Sequence, residues 1–247
     1  MHHFFVQPQN VKEEYISIVG GDVNHIKNVL RMKEKEDILI SDGNGSDYTC
    51  VIYKMQEDEI IAKICDVSHD ATELPGKLYL FQGLPKNDKM ELIIQKAVEL
   101  GAAGIIPVST SRCVVKLDEK KEATKLKRWQ TIAESAAKQS KRGVIPQVHN
   151  VLSFKEAVKM AGDLQVGMIP YENFKDMSST KSVIDKIRSN MSVGIFIGPE
   201  GGFCESEVEY AKENGIEPIS LGNRILRTET AGLAILSILM FKMETED

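Results

Sequence analysis

Apolar and polar residues alternate with a period of two in the N-terminal part of the chain. Alternation at 15–19, 38–41, 48–54 and 60–67, rich in Ile, Val and Tyr, predicts short strands with one buried face. Asp42-Gly43-Asn44-Gly45 has the composition of a tight turn, and 22–32 predicts one helix. Residues 1–68 therefore read as a small β-barrel, followed at 69–76 by a stretch of linker composition. From 77 to 247 the pattern changes: continuous apolar runs at 78–82, 104–108, 164–169, 193–197 and 217–221 alternate with helical segments. That order predicts an α/β domain, a parallel sheet with helices on both faces. Within it, 88–100 places Met90, Ile93, Ile94, Ala97 and Val98 on one helical face and stops at Gly101. Trp129, spaced with Ile132 and Ala136, is expected in a helix core, and the apolar run 231–241, too short to span a bilayer, predicts a buried helix.

Two of the predicted strands run into glycine turns. Gly198-Pro199-Glu200-Gly201-Gly202-Phe203 follows one, and Leu221-Gly222-Asn223-Arg224-Ile225-Leu226-Arg227 follows the other, ahead of a helix starting at Thr228-Glu229. Such pairs are also ordinary turn punctuation. The charges they carry, Glu200, Arg224 and Arg227, are not needed for packing, and loops at the carboxyl ends of parallel strands are where such sheets bind small molecules. Neither the Gly-x-x-x-x-Gly-Lys-Ser/Thr phosphate loop nor Gly-x-Gly-x-x-Gly occurs, so the expected ligand is not held by its phosphates.

Composition narrows the setting. Four cysteines are scattered with no Cys-x-x-Cys, and five histidines complete no metal-ligand spacing, which predicts reduced thiols, no metal and a cytoplasmic location. The start, Met1-His2-His3-Phe4-Phe5-Val6, lacks the long apolar core of a signal peptide. A net charge of −5 is awkward for a nucleic-acid partner, yet 86–142 carries 13 Lys and Arg against 7 Asp and Glu, a net +6 that leaves the rest at −11. Asp118-Glu119-Lys120-Lys121-Glu122 alternates in sign like a solvated helix face, whereas Arg112, Lys116, Lys138, Lys141 and Arg142 have few acidic neighbours.

The two glycine turns resemble the cofactor signature of the SPOUT methyltransferases, specifically the family that methylates N3 of a uridine in 16S ribosomal RNA. The resemblance extends along the chain in order, through His25-Ile26-x-x-Val29-Leu30-Arg31 and Lys86-x-Asp88-Lys89-Met90-Glu91-Leu92 with Gln95-Lys96-Ala97-x-Glu99-Leu100-Gly101. It implies a PUA-like RNA-binding β-barrel at 1–68, a methyltransferase domain at 77–247 with a C-terminal trefoil knot, S-adenosylmethionine as cofactor, and a homodimer acting on 16S rRNA or the assembled small subunit. Cys204 departs from the family, which has Ser or Thr there. Its thiol is a weaker acceptor for a capping box with Glu207, so the helix start is expected to lose a fraction of about 1 kcal/mol.

By resemblance, the cofactor pocket is expected from Met168, Ile169, Pro170, Ile197, Gly198, Pro199, Glu200, Gly201, Gly202, Leu221, Gly222, Arg224, Ile225, Leu226 and Arg227, with Ile225 and Leu226 sandwiching the adenine. Transfer to a uridine nitrogen also needs the base taken out of a helix, its proton removed and the developing charge stabilised. Arg112, Arg142 and Lys96 are the expected cations, and Glu99 and Glu134 the carboxylates that orient them or accept the proton, against the plainer reading of both as helix-surface ion pairs. Arg31, Lys86, Lys116, Lys138, Gln139 and Lys141 are the expected RNA contacts. The alternatives are ribose 2′-O-methyl transfer on the same scaffold and a non-catalytic RNA-binding protein.

Overall fold

Isoleucine dominates the first core: Ile16, Ile18, Ile38, Ile40, Ile52 and Ile60 are each at most 1% exposed. They come from alternate positions of β2 (Tyr15–Val19), β3 (Asp37–Ser41), β4 (Ser46–Met55) and β5 (Glu59–His69). A further strand, β1 (His2–Phe5), pairs parallel to β3, giving a five-stranded sheet of order β1-β3-β4-β5-β2 in which the other pairings are antiparallel. In the turn at 42–45, the Asp42 carboxylate accepts the Asn44 and Ser46 amides at 2.8 and 3.1 Å. The expected helix is shorter than its pattern. A four-residue α1 (Gly21–Asn24) passes into a wide π turn over His25–Val29, and Arg31 adopts a left-handed φ of 54° that ends it.

The computed structural model describes residues 1–69 and 72–246, so the expected linker at 69–76 falls partly outside the described residues, at Asp70 and Ala71. It comprises two units: Met1–Glu73 with Ala137–Ile145, and Leu74–Ala136 with Pro146–Asp247.

In the second unit, β6 (Lys77–Gly83), α2 (Lys89–Glu99), β7 (Ala102–Ser109), α3 (Glu119–Ser140), β8 (Gln147–Val148), β9 (Leu152–Ser153), α4 (Phe154–Ala161), β10 (Val166–Pro170), α5 (Met177–Lys186), β11 (Ser192–Ile197), α6 (Glu205–Glu213), β12 (Ile216–Ile219) and α7 (Thr228–Thr245) follow in order. The last turn of α3 clusters with the first unit. Seven parallel strands form a sheet of order β12-β10-β11-β6-β7-β8, with β9 also beside β7. Alternate residues face opposite ways. Phe81 and Phe196, stacked with centroids 4.4 Å apart, turn toward α4 and α6, while Leu80 and Ile197 turn toward Gly232 of α7. Helices therefore cover both faces.

Boundaries shift where a local bond competes with the sheet. β10 starts at Val166 and not at 164, because the Leu164 amide caps the end of α4 by donating to the Ala161 carbonyl at 3.0 Å. Gly101, with φ 83°, terminates α2 as expected. The expected buried C-terminal helix is buried on one face only: Ile235, Leu236 and Leu239 are buried, but Ile238 and Phe241 are 45% and 66% exposed. Trp129 is in the core at 3% exposure. At α6 the Cys204 amide donates to Glu207 Oε2 at 3.0 Å, the carboxylate half of the capping box. Glu207 Oε1 in turn accepts the Ser111 amide at 2.8 Å and ties the loop after β7 to the helix start.

Candidate active site

Three neighbouring parallel strands, β12, β10 and β11, end on one edge of the sheet, and the loops that leave them surround a cavity of about 600 Å3. That is within the roughly 300–1,000 Å3 of small-molecule sites. Its walls are 170–172 with Lys175, then 197–200 with Gly202 and Phe203, and finally 220–228. The glycines shape it. Gly202 and Gly222 have φ of 64° and 103°, a region costly for other residues, and a Cβ on Gly198 would lie 3.0 Å from the Gly202 backbone. Thr228 Oγ1 donates to the Gly198 carbonyl at 2.6 Å and accepts from Gln82 Nε2 at 2.9 Å, so the start of α7 holds the end of β11 in place.

Charge collects at one side. Lys89, on the first turn of α2, lies 3.1 Å from Glu200 and 3.3 Å from Glu229, and the Lys86 amide also donates to Glu200, at 3.1 Å. The hydrogen bond to Glu200, above all, raises the Lys89 pKa. Burial works to raise the Glu200 carboxyl, but the bonds from its own amide, from Lys89 and from the Lys86 amide outweigh it, leaving it below the usual range. The stabilisation from Glu200 is thus present above its ordinary value of 4.5 and lost as pH falls through its lower native value. That from Lys89 is present below 10.5 and lost only as pH rises through a higher value. Glu200→Gln is expected to lower thermal stability at neutral pH and leave it little changed at the acid end, so that the acid limb of the profile flattens; a wild-type profile in the variant would refute the assignment.

Most of the expected cofactor set lines this cavity: Pro170, Ile197, Gly198, Pro199, Glu200, Gly202, Leu221, Gly222, Arg224, Ile225, Leu226 and Arg227. Three do not. Met168 and Ile169 are 0% exposed within the sheet, and Gly201 faces outward, where its carbonyl accepts from Arg112 Nη1 at 2.9 Å. Ile225 is 86% exposed, an apolar side chain held at the cavity mouth.

The expected catalytic and RNA-contacting groups are scattered. Arg112 sits against the glycine turn and Lys86 beside it, both exposed, with Lys116 further along the same loop. Lys96 and Glu99 pair with each other at 2.8 Å as i,i+3 neighbours on α2 and do not line the cavity, which is the surface ion pair of the plainer reading. Glu134 is half-buried on α3. Arg31, Lys138, Gln139, Lys141 and Arg142 belong to the first unit. Lys138 lies 3.4 Å from Asp22, and Arg142 is 4% exposed with its guanidinium forked onto Glu73. Burial corrects the expectation for Arg142: its side chain is spent on an internal ion pair.

Lining residues that the sequence reading missed are Tyr171, Glu172, Lys175 and Ser220, with Lys89, Phe203, Asn223, Thr228 and Ala231 inside segments it did quote without assigning them to the cavity. Lys89 was open to recognition, since it lies in the quoted central motif; the polar stretch directly after β10 was the available sign for Tyr171 to Lys175.

Comparison with known proteins agrees with this geometry. The model of an RNA methyltransferase domain matches residues 72–240, and that of an RNA methyltransferase PUA domain matches 20–65. The chain is 38% identical to ribosomal RNA small subunit methyltransferase E of Bacillus subtilis, over 99% of this chain and 98% of that protein. With the enzyme of the same name from Mesomycoplasma hyopneumoniae the identity is 32%, over 96% and 98%. A crystal structure of ribosomal RNA small subunit methyltransferase E from Neisseria gonorrhoeae bound to S-adenosyl methionine superposes with a TM-score of 0.85 at 31% identity, covering 98% of this chain and 97% of that one. With a parallel sheet whose loops surround a cavity and a family match spanning most of its length, the chain belongs to the RNA methyltransferase family, with a PUA domain preceding the methyltransferase domain.

Proposed function

We propose that this protein is an S-adenosylmethionine-dependent methyltransferase that modifies N3 of a uridine in the 16S rRNA of the small ribosomal subunit. The observation that carries the reading is the three-loop cavity, whose residues suit this cofactor. Gly198, Gly202 and Gly222 leave stretches of the cavity wall without side chains, apolar Ile225 and Leu226 are available to an adenine, Glu172 and Glu200 can meet a cationic ammonium or sulfonium, and the sequence has no phosphate-loop motif. Bound there, the cofactor supplies an already activated methyl group. The chain's own tasks are to hold the acceptor nitrogen in line and to lower its proton affinity. Arg112, exposed beside Gly201, is the cation placed to stabilise negative charge on the base.

A trefoil knot, a closed PUA-like barrel, a homodimer and a cytoplasmic location belong to the same proposal, on the strength of the family resemblance. Supporting the barrel are the bulges in the β4–β5 pairing at Thr49/Cys50 and Ile52/Lys54, devices that bend long strands. Among the described residues no helix is long and apolar enough to cross a membrane, and no cluster of His, Cys, Asp and Glu could hold a metal ion.

The test is methyl transfer from labelled cofactor to unmodified 16S rRNA and to small subunits, followed by nucleoside mass mapping. N3-methyluridine is expected; a 2′-O-methyl product would move the chain to the other chemistry, and absence of cofactor binding by calorimetry would remove the enzyme. Arg112→Ala is expected to leave cofactor affinity nearly unchanged and to reduce single-turnover transfer by about ten-fold or more. Full activity in that variant would exclude Arg112 from the reaction.

A further inference from the structure

A second, smaller cavity of about 170 Å3 opens in the methyltransferase domain beside the turn that joins β6 to α2. Its floor is Leu84, Met90 and Trp129, its side is Val115 and Leu117, and its mouth carries Asn87, Asp88 and Lys125. The Lys125 ammonium lies over the indole of Trp129, 5.8 Å from the ring centroid. Only a few residues separate this cavity from the first. Lys89, next in sequence to Asp88 and Met90, lines the large cavity, and the Lys86 amide is bonded to Glu200. Asn87 takes a left-handed φ of 57° in this turn, a conformation Asn adopts more readily than most residues.

We infer that this cavity receives one unstacked nucleobase of the RNA strand, a neighbour of the methylated uridine. The inference rests on the RNA-methylating reading above. Sequence-specific contacts to RNA go mostly to splayed-out bases that stack on aromatic side chains and bond through their edges. Trp129 supplies the aromatic surface, covered in the free protein by a cation on a flexible stem. When a base enters, the Lys125 ammonium can swing from the ring to the phosphate of the same nucleotide and keep a favourable partner. The Asp88 side chain does not cap α2 and stands at the mouth. A carboxylate there accepts from an exocyclic amino group, which cytosine, adenine and guanine have, whereas uracil offers only its ring N3–H, so the site favours an amino-bearing base. Lys121, one turn earlier on α3, is 69% exposed and paired with Asp118, which separates it in role from Lys125.

The chain has one tryptophan, so its emission reports on this cavity directly. Short oligocytidylate and oligoadenylate, added to the full-length protein, are expected to quench Trp129. Oligouridylate is expected to quench less, and an abasic strand of the same length and charge not at all. Val115→Phe, which fills the cavity from a half-buried loop position, is expected to abolish the quenching and to lower methyl transfer to 16S rRNA at least ten-fold while cofactor binding by calorimetry is unchanged. Lys125→Ala is expected to keep the quenching and to weaken strand affinity a few-fold, with Lys121→Ala as the neutral control. Quenching by the abasic strand, quenching retained in Val115→Phe, or undiminished transfer in that variant would each overturn the inference. A wild-type protein that binds no cofactor would instead strike at the proposed function itself.

Discussion

Arg142→Ala is expected to destabilise the first unit by about 3–5 kcal/mol, because it removes one partner of a buried ion pair and leaves the other charge uncompensated. The pair is well enclosed: the side chains of Arg142 and Glu73 are 4% and 14% exposed. The Nε–H of Arg142 donates to Glu73 Oε1 and Oε2 at 3.1 and 3.2 Å, and Nη2 reaches Oε2 as well. A fall in melting temperature of roughly 10 °C follows for a chain of this size. Arg142→Lys keeps the charge but not the fork and is expected to fall between. A double-mutant cycle with Glu73→Ala separates the coupling from the packing of each side chain. Cofactor binding in the second unit should survive at temperatures where both units are folded. A variant of unchanged stability that had lost methyl transfer would return Arg142 to a substrate-holding role.

The second large effect concerns a glycine outside both quoted turns. A Cβ on Gly83, the last residue of β6, would stand 2.7 Å from the Pro199 nitrogen and 2.6 Å from its Cδ, with the Gly198 carbonyl carbon at 3.1 Å. The obstructing atoms belong to backbone and a rigid ring, so relief comes only by moving the turn that walls the cavity. Gly83→Ala is expected to weaken cofactor binding more than ten-fold and to cost about 1–3 kcal/mol of stability, the usual range for overpacking. Gly202→Ala makes the informative comparison. Its Cβ meets nothing within 4 Å, and its cost comes from a φ of 64° alone, roughly 1–2 kcal/mol. Calorimetric titration of both variants distinguishes the mechanisms: wild-type affinity in Gly83→Ala would mean that the 198–202 turn moves freely.

Five of the seven strands of the second unit were legible because burial on both faces writes an unbroken apolar run, and β11 and β6 differ from expectation by one residue at their ends, whereas the two-residue β8 and β9 are too short to write any pattern. β1 was not legible either, since His2-His3-Phe4-Phe5 has no alternation of its own and owes its conformation to β3. The two glycine turns announced the cavity through residue types that few other tasks require. The third wall, at Tyr171 to Lys175, is made of ordinary loop residues and gains its meaning only from the strand order that sets β10 between β12 and β11. Arg142 shows the limit most clearly. Its few acidic neighbours in sequence suggested a free cation, but its partner lies 69 residues away, beyond the reach of any local pattern.

The segment Ala137–Ile145 has a consequence for how this protein can be taken apart. It is encoded within the methyltransferase half and folds with the N-terminal half, where the Gly45 amide bonds to the Gly143 carbonyl at 3.3 Å and Glu73 meets Arg142. The chain therefore crosses between its units three times, after Glu73, after Ala136 and after Ile145. A fragment ending at Glu73 carries the acid of a buried pair without its base, and one beginning at Leu74 carries the base without its acid. Nor does a single nick set the halves adrift. Domain exchange by a simple N-terminal swap is closed to this architecture, and a viable chimera has to transplant residues 137–145 together with the first 73.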